Sequence, residues 1–233
     1  MIDDWSRTAE QVMLSILESK ARVLAITSAI PAAGVSTVAE GLATAFARSG
    51  RKALLIDMTG TVDSGAAADS WAPGEPLAQD AVHTVSENLS RLSVVPTSAN
   101  RALFGNVELF QKAFQRDLAS YAHIVLDLPA VLETDAARLN PAAAARAADA
   151  VILVGLTGLT NRAELTEATQ ALRQVGANVA GLVLNDQYCA TLGEEIADVS
   201  YNRLGQIAPR AAHWIAQKAL ATRYLGRNFR IVR

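Results

Sequence analysis

The sequence of 233 residues lacks several features that would assign it to a specialised class of protein. Its single cysteine, Cys189, excludes internal disulfide bonds and any cysteine-rich metal site. It contains no run of about 18 apolar residues, so we expect no transmembrane helix. Its first residues are acidic and lack the basic and then apolar order of a secretory signal, which predicts a cytoplasmic location.

A strong overall charge is also missing, because 21 basic and 23 acidic side chains leave a net charge of −2. This balance excludes a generally basic nucleic-acid coat, and we expect no nucleic-acid partner. The charges are unevenly spread: residues 1–198 carry 14 basic and 23 acidic groups, a net −9, whereas residues 199–233 carry seven basic groups and none that is acidic. The basic segment is typical either of a closing helix with solvated side chains or of an element that docks on a membrane or an acidic partner.

Short apolar runs alternate with helical patterns along most of the chain. We predict strands at residues 22–27, 52–57, 92–95, 123–127, 150–154 and 179–185, and helices at 5–18, 36–49, 107–120, 161–176 and 209–224, with an alanine-rich helix starting at Asn140. Apolar strands separated by helices predict an α/β fold, a mostly parallel sheet flanked by helices on both faces.

The domain organisation follows from this alternation. We expect an N-terminal helix over residues 1–20, one domain over 21–208, and a basic C-terminal helix and tail over 209–233. Residues 58–87 are rich in small and polar residues and show no sustained period, which predicts a long irregular surface excursion.

The loop after the first strand has the context of a phosphate-binding loop. Such a loop joins a strand to a helix and directs backbone N–H groups at phosphates. Gly34 and Ser36 stand where the pattern Gly-Lys-Ser/Thr requires them, but Val35 occupies the lysine position. An ordinary turn with glycine and proline would explain the loop taken alone equally well.

Two aspartates strengthen the interpretation of this loop. Asp57 and Asp127 each end an apolar strand, and such residues lie at the carboxyl edge of a parallel sheet, where ligands bind. Carboxylates that face a phosphate loop can hold Mg²⁺ or orient a nucleophile. Together the three signals favour a nucleotide-type site over a simple turn.

In their order and spacing these motifs resemble the deviant-Walker P-loop ATPases, the superfamily of the ParA and MinD proteins. Within it the chain is most similar to the cytoplasmic domain of bacterial tyrosine kinases of capsule and exopolysaccharide synthesis. Residues 27–37 are similar to Thr-Ser-x-x-Pro-Gly-Glu-Gly-Lys-Ser-Thr, residues 54–59 to Leu-Leu-Ile-Asp-x-Asp, and residues 125–130 to Ile-Ile-Asp-x-Pro-Pro. The resemblance runs from about residue 20 to about residue 187.

The resemblance implies a P-loop NTPase-like fold and ATP or ADP with Mg²⁺ as the ligand. Ser36, Asp57 and Asp127 would hold the metal, and the two aspartates would act in any catalysis. The remaining residues implied to bind nucleotide are Pro31, Gly34, Val35, Thr37 near the α-phosphate and Asn185 at the adenine.

Departures from the family pattern shape the functional prediction. The phosphate-binding lysine is Val35, the ParA/MinD signature lysine falls at Ile30, and the second aspartate of the second motif is Thr59. The C-terminal tyrosine cluster of the kinases is reduced to Tyr201 and Tyr224. A basic residue from elsewhere, such as Arg51, Lys52 or an arginine of a partner, is a candidate replacement for the lysine.

These departures predict a kinase-like accessory protein of exopolysaccharide or capsule assembly with weak or absent catalysis. Its expected partner is a membrane polysaccharide co-polymerase or a kinase homologue, with self-association as a further option. Contact with the inner membrane would be peripheral or through that partner. One alternative is an active tyrosine autokinase or ATPase with rearranged phosphate contacts, and another is a ParA/MinD-like positioning ATPase.

Overall fold

The computed structural model describes residues 2–60, 71–77, 81–186, 196, 199–201, 209–221 and 229–232. The strands in these ranges are β1 Val23–Ser28, β2 Ala53–Asp57, β3 Val82–Ser86, β4 Leu89–Ser93, β5 His123–Asp127, β6 Ala150–Leu156, β7 Val179–Asn185 and β8 Phe229–Val232. They form one sheet in the order β3-β4-β2-β5-β1-β6-β7-β8. The six inner strands are parallel, and β3 and β8 are antiparallel strands at its edges.

The helices are α1 Ile2–Ser19, α2 Val35–Arg48, α3 Val107–Lys112, α4 Ala142–Ala147, α5 Arg162–Gln174 and α6 Pro209–Ala221. Successive residues of a strand point to opposite faces, so each inner strand contributes to two cores. In β1, Val23 and Ala25 join the core that contains α3, α4 and α5, whereas Leu24 and Ile26 join the core that contains α1 and α2. The predicted α/β fold with helices on both faces is confirmed.

Local sequence signals explain where several helices begin. Helix α5 begins with a capping box, since Asn161 Oδ1 accepts from the Glu164 backbone N–H at 2.9 Å and the Glu164 carboxylate accepts from the Asn161 backbone N–H at 2.9 Å. Asn140 Oδ1 accepts from the Ala142 backbone at 2.9 Å where the alanine-rich helix begins. Such side-chain acceptors satisfy N–H groups that a helix leaves without an internal partner.

Other boundaries differ from the sequence prediction. The regular part of α3 ends at Lys112 and continues as a π-helical turn over Ala113–Asp117. The guanidinium of Arg22 donates to the carbonyls of Phe114 and Leu118 at 2.9 and 2.6 Å. Arg22 lies 92 residues before Phe114 in the sequence, so local periodicity over 107–120 could not indicate these contacts.

The prediction of an irregular surface excursion over residues 58–87 is wrong in part. This segment contains the edge strand β3, and Trp71 is buried in the core, so these parts are not an irregular surface excursion. Residues 61–70 and 78–80 lie outside the described residues. The neighbouring strand β4 begins at Leu89, three residues before the predicted start.

The basic segment after residue 198 contributes a helix and a strand. Helix α6 begins at Pro209 as predicted and is described to Ala221, and residues 222–228, which include Tyr224, lie outside the described residues. The strand β8 pairs with β7 and was not predicted. Among the described residues, no helix combines the length and the apolar character needed to cross a bilayer.

Candidate functional site

The topology places the three sequence motifs side by side. Strand β5 lies between β1 and β2, so the loop after β1 and the aspartates that end β2 and β5 share the carboxyl edge of the sheet. Asp57 and Asp127 are register partners across β2 and β5. Near the end of β1, the Thr27 hydroxyl donates to the Pro129 carbonyl at 2.6 Å. This hydrogen bond joins the strand that leads into the loop to the segment after β5.

The loop before α2 has the backbone shape of an anion-binding nest. Ala32 and Gly34 both have left-handed φ angles, of 61° and 91°, and Gly34 is the N-cap of α2. Alternation of left-handed and right-handed residues turns consecutive N–H groups toward one point, and a helix N-terminus adds unpaired donors. This backbone shape is the one that phosphate-binding loops use.

Asn185 braces this loop from the end of β7. It is buried, and its side-chain amide donates to the Ala33 carbonyl at 3.0 Å. A Cβ atom at Gly34 would push that amide nitrogen out of its place, and the positive φ of 91° independently favours glycine here. The structure thus places Asn185 beneath the phosphate loop, and its contact with adenine stays a prediction.

The side chain at the lysine position belongs to the core. Val35 is 9% exposed and lies in the same hydrophobic cluster as Val38 and Leu42 of α2. The next two residues, Ser36 and Thr37, are exposed at the start of the helix, as is Pro31 in the loop. Two hydroxyl groups are therefore available to a ligand, whereas position 35 offers it no charge.

Arg51 and Lys52 do not replace the missing lysine. Both precede β2 and lie at the amino edge of the sheet, opposite the end at which Asp57 stands. There a nitrogen of Arg51 lies 3.5 Å from a ring nitrogen of His123, and the ammonium group of Lys52 lies over the Tyr121 ring. The sequence prediction that either residue could serve the phosphate loop is wrong because the strand separates them from it.

Asp127 is the buried acid of the site. Its side chain is 1% exposed, and its Oδ1 atom has no hydrogen-bond partner among the described residues. Burial raises its pKa to about 6, and the negative charge of Asp57 adds to this rise while a contact with the Ser36 hydroxyl opposes it. An unpartnered buried carboxylate oxygen beside a hydroxyl is a suitable place for a cation or a bound water.

Asp57 is surrounded by donors. Its Oδ1 atom accepts from the backbone and the hydroxyl of Thr59 at 3.0 and 2.7 Å, and its Oδ2 atom lies 2.7 Å from Arg91 Nη2. Burial alone would raise the pKa of Asp57, but the hydrogen bonds from Thr59 and Arg91 outweigh it and hold that pKa below the usual value. Thr59 therefore acts as a donor to Asp57 in place of the second aspartate of the family motif.

Arg91 is the site residue that sequence reasoning missed. Besides Asp57 it contacts Glu40 of α2, with 2.8 Å between Nη1 and Oε1. It is the one charged residue of β4, and a charge within an otherwise uncharged strand was the sequence signal that could have identified it. Its position beside Asp57 depends on the pairing of β4 with β2, which the sequence did not indicate.

The residues present fit a magnesium-bound nucleotide in part. The nest and the helix N-terminus suit phosphate, and Ser36 with Asp127 suits Mg²⁺, which takes few protein ligands and several from phosphate and water. Within the part of the chain that the structure describes, no cluster of three or more histidine, cysteine or acidic residues forms a metal cage. The fit is incomplete because position 35 carries valine and offers the phosphates no positively charged side chain.

Solved structures share this architecture. The kinase domain of Escherichia coli tyrosine kinase ETK is 21% identical and superposes with a TM-score of 0.61 over 77% of this chain and 74% of its own. The BceF tyrosine kinase domain is 23% identical, with a TM-score of 0.62 over 79% and 76%. Septum site-determining protein MinD from Pyrococcus horikoshii OT3, complexed with Mg-ADP, is 22% identical, with a TM-score of 0.54 over 72% of each chain.

No protein-family model matches the sequence, and the search of curated proteins found no match. At these levels of identity the solved structures establish the fold. The chain therefore has the fold shared by these tyrosine kinase domains and MinD, which confirms the fold that the motif resemblance implied.

Proposed function

We propose that this chain is a kinase-like P-loop accessory protein of exopolysaccharide or capsule assembly in which phosphoryl transfer is weak or lost. The observation that carries the proposal is the burial of Val35 in the α1/α2 core at the position of the phosphate-binding lysine. A valine side chain in the core contributes no charge to a phosphate, and Arg51 and Lys52 lie at the opposite edge of the sheet.

The energetic consequence differs for binding and for catalysis. Loss of one charge-assisted phosphate contact costs roughly 1.5–3 kcal/mol, which lowers affinity by one to two orders of magnitude. The cost for phosphoryl transfer is larger, because the negative charge of the transition state must be held in place by fixed positive groups. Residual nucleotide binding through the loop backbone, Ser36 and Asp127 is therefore compatible with little or no turnover.

The cellular role follows from the kinase resemblance. A domain that keeps the kinase fold without its chemistry can still bind what a kinase domain binds. We propose a membrane polysaccharide co-polymerase or a kinase homologue as the partner, with membrane contact peripheral or through that partner. Self-association remains a further option.

An active autokinase or ATPase is the second candidate, because one part of the site is intact. Asp127 keeps an oxygen without a partner among the described residues, next to Ser36, as a metal-dependent reaction would need. When bound, Mg²⁺ would offset phosphate charge, while Ser36 and Asp127 would orient it. A ParA/MinD-like ATPase would use the same residues, and the missing lysine at Ile30 weighs against it.

A nucleotide titration separates these candidates. The wild-type protein, Val35→Lys and Val35→Met would each be titrated with fluorescent ATP and Mg²⁺ at pH 7.5. Methionine matches lysine in length and lacks its charge, so it controls for the change in packing. We expect micromolar binding only for Val35→Lys, with at least a tenfold gain over wild type.

Two further measurements complete that test. Circular dichroism would check that all three proteins fold, and phosphate release with anti-phosphotyrosine detection would report turnover. Micromolar binding by the wild type together with hydrolysis or autophosphorylation would show that the accessory proposal is wrong and that the enzyme alternative is right.

A further inference from the structure

A single arginine bridges two acidic side chains at the site. The guanidinium of Arg91 lies 2.7 Å from Asp57 Oδ2 and 2.8 Å from Glu40 Oε1. Glu40 is one helical turn after Ser36 on α2, so the bridge lies beside the hydroxyl that faces Asp127. The three elements involved, β2, β4 and α2, are thereby joined at the edge where a ligand would bind.

This bridge uses the oxygens of Asp57. Thr59 donates twice to Oδ1, and Arg91 occupies Oδ2, so both oxygens already have donors. A divalent cation that bound Oδ2 would become a neighbour of the guanidinium, and the two positive charges would repel. Asp57 is thus a poor metal ligand while Arg91 stays in place.

Asp127 presents the opposite case. It is 1% exposed, its Oδ1 atom has no partner among the described residues, and its register partner is Asp57. A cation at this edge therefore meets one buried carboxylate whose Oδ1 atom has no partner among the described residues and one carboxylate that Arg91 already pairs with. This buried oxygen is a second, independent feature of the site, and it suits a bound cation or water.

We propose that Arg91 is the resident cation of this edge, and that it closes Asp57 to divalent metal and limits metal binding to Asp127 and Ser36. The guanidinium supplies a fixed positive charge where a metal would otherwise approach both aspartates. Arg91 thus determines which carboxylates of the site can bind a divalent metal, and the three kinase motifs of the sequence do not include this residue. The inference rests on the proposed function only in taking this edge as a nucleotide-type site.

Manganese binding without nucleotide tests the proposal directly. Free Mn²⁺ would be measured by electron paramagnetic resonance at pH 7.5 for wild type, Arg91→Gln, Asp57→Asn and the double variant. We expect Arg91→Gln to bind Mn²⁺ at least fivefold more tightly than wild type. Because the gain comes from the release of Asp57, we expect it to fall below twofold when Arg91→Gln is made in the Asp57→Asn background.

Controls separate charge from access. Arg91→Lys keeps the positive charge and is expected to stay within twofold of wild type, whereas Asp127→Asn should abolish the gain of Arg91→Gln. Arg91→Met, which keeps an apolar stem on β4, repeats the measurement if the glutamine variant does not fold.

Three outcomes would overturn the proposal. The first is that Arg91→Gln binds Mn²⁺ no more tightly than wild type does. The second is that the gain in Mn²⁺ affinity is the same in the wild-type and the Asp57→Asn backgrounds. The third is that Arg91→Gln weakens ATP binding and brings no gain in Mn²⁺ affinity. The last result would make Arg91 a phosphate ligand. None of these results depends on Val35→Lys, so failure here leaves the accessory proposal to its own nucleotide titration.

Discussion

The ends of β2 and β5 are adjacent in the sheet and carry the same residue type, yet their carboxyl groups have opposite surroundings. Asp57 is half-buried, receives three hydrogen bonds and has a pKa held below the usual value. Asp127 is fully buried, keeps an oxygen without a partner among the described residues, and has a pKa of about 6. The same side chain is therefore paired with donors in one strand and buried with an unpaired oxygen, among the described residues, in the next.

The comparison teaches that position on the fold and chemical role are separate properties. Both aspartates stand at the carboxyl edge, as a nucleotide-type site requires. Their surroundings differ because Arg91 of β4 and Thr59 donate to Asp57, whereas Asp127 is buried on β5 between β1 and β2 and contacts the Ser36 hydroxyl. The following variants test that contrast through the free energy of unfolding.

The largest effect is expected for Asp127→Asn. Because the folded-state pKa of Asp127 is raised to about 6 from 3.8, its ionised form opposes folding above pH 6. Replacement by the neutral amide should stabilise the protein by about 3 kcal/mol at pH 8. The advantage should shrink as the pH falls from 6 toward 3.8 and disappear below that value, where the wild-type carboxyl is protonated in both states.

Urea denaturation at pH 8, 6 and 4.5 measures this difference. A stabilisation that did not change with pH would mean that lost packing or a new amide hydrogen bond, and not the buried charge, sets the effect.

For Asp57→Asn we expect a change in the free energy of unfolding that is smaller and of the opposite sign. The pKa of Asp57 is depressed in the folded state, so its contribution to stability is present above the unfolded pKa and is lost as the pH falls through the folded value. Arg91 is more than a third exposed, and solvent screening reduces the value of the pair. We expect a loss of about 1 kcal/mol at pH 7.

The same denaturation series, repeated at 1 M NaCl, checks the electrostatic origin of this loss. Salt should reduce the difference between wild type and Asp57→Asn. A gain of stability at pH 7 would show that Asp57 is not held by Arg91 in solution.

The smallest effect is expected for Glu40→Gln, at the other end of the bridge. The Glu40 side chain is 53% exposed, so its pair with Arg91 lies in a high-dielectric environment. We expect a loss of at most about 0.5 kcal/mol at pH 7. Thermal or urea unfolding resolves it, and a loss as large as that of Asp57→Asn would place the main anchor of Arg91 on α2 instead of on β2.

Much of the architecture was predictable because its signals are local. Apolar runs gave five of the six inner strands to within about two residues, and the capping box fixed the start of α5. The predictions that failed depended on distant partners. Strand β3 is mostly exposed and lacks an apolar pattern. The π-helical turn that follows α3 contacts Arg22, which directly precedes β1 and is distant in the sequence.

The site was predictable to a similar extent. Motif order indicated Gly34, Ser36, Asp57 and Asp127, and the parallel sheet brings them to one edge. The position of Asn185 beneath the loop was not predictable, since no local pattern in β7 indicates the Ala33 carbonyl.

By itself the sequence determined the type of fold, the edge at which a ligand would bind and the loss of a cation at position 35. These properties follow from periodicity, from turn residues and from one missing lysine, all of which are local. Only the tertiary structure decided that Val35 lies in the core, that Arg91 pairs with Asp57 and that Asp127 Oδ1 is buried without a hydrogen-bond partner among the described residues. Burial and charge pairing depend on which strands become neighbours, and strand order is a property of the folded sheet.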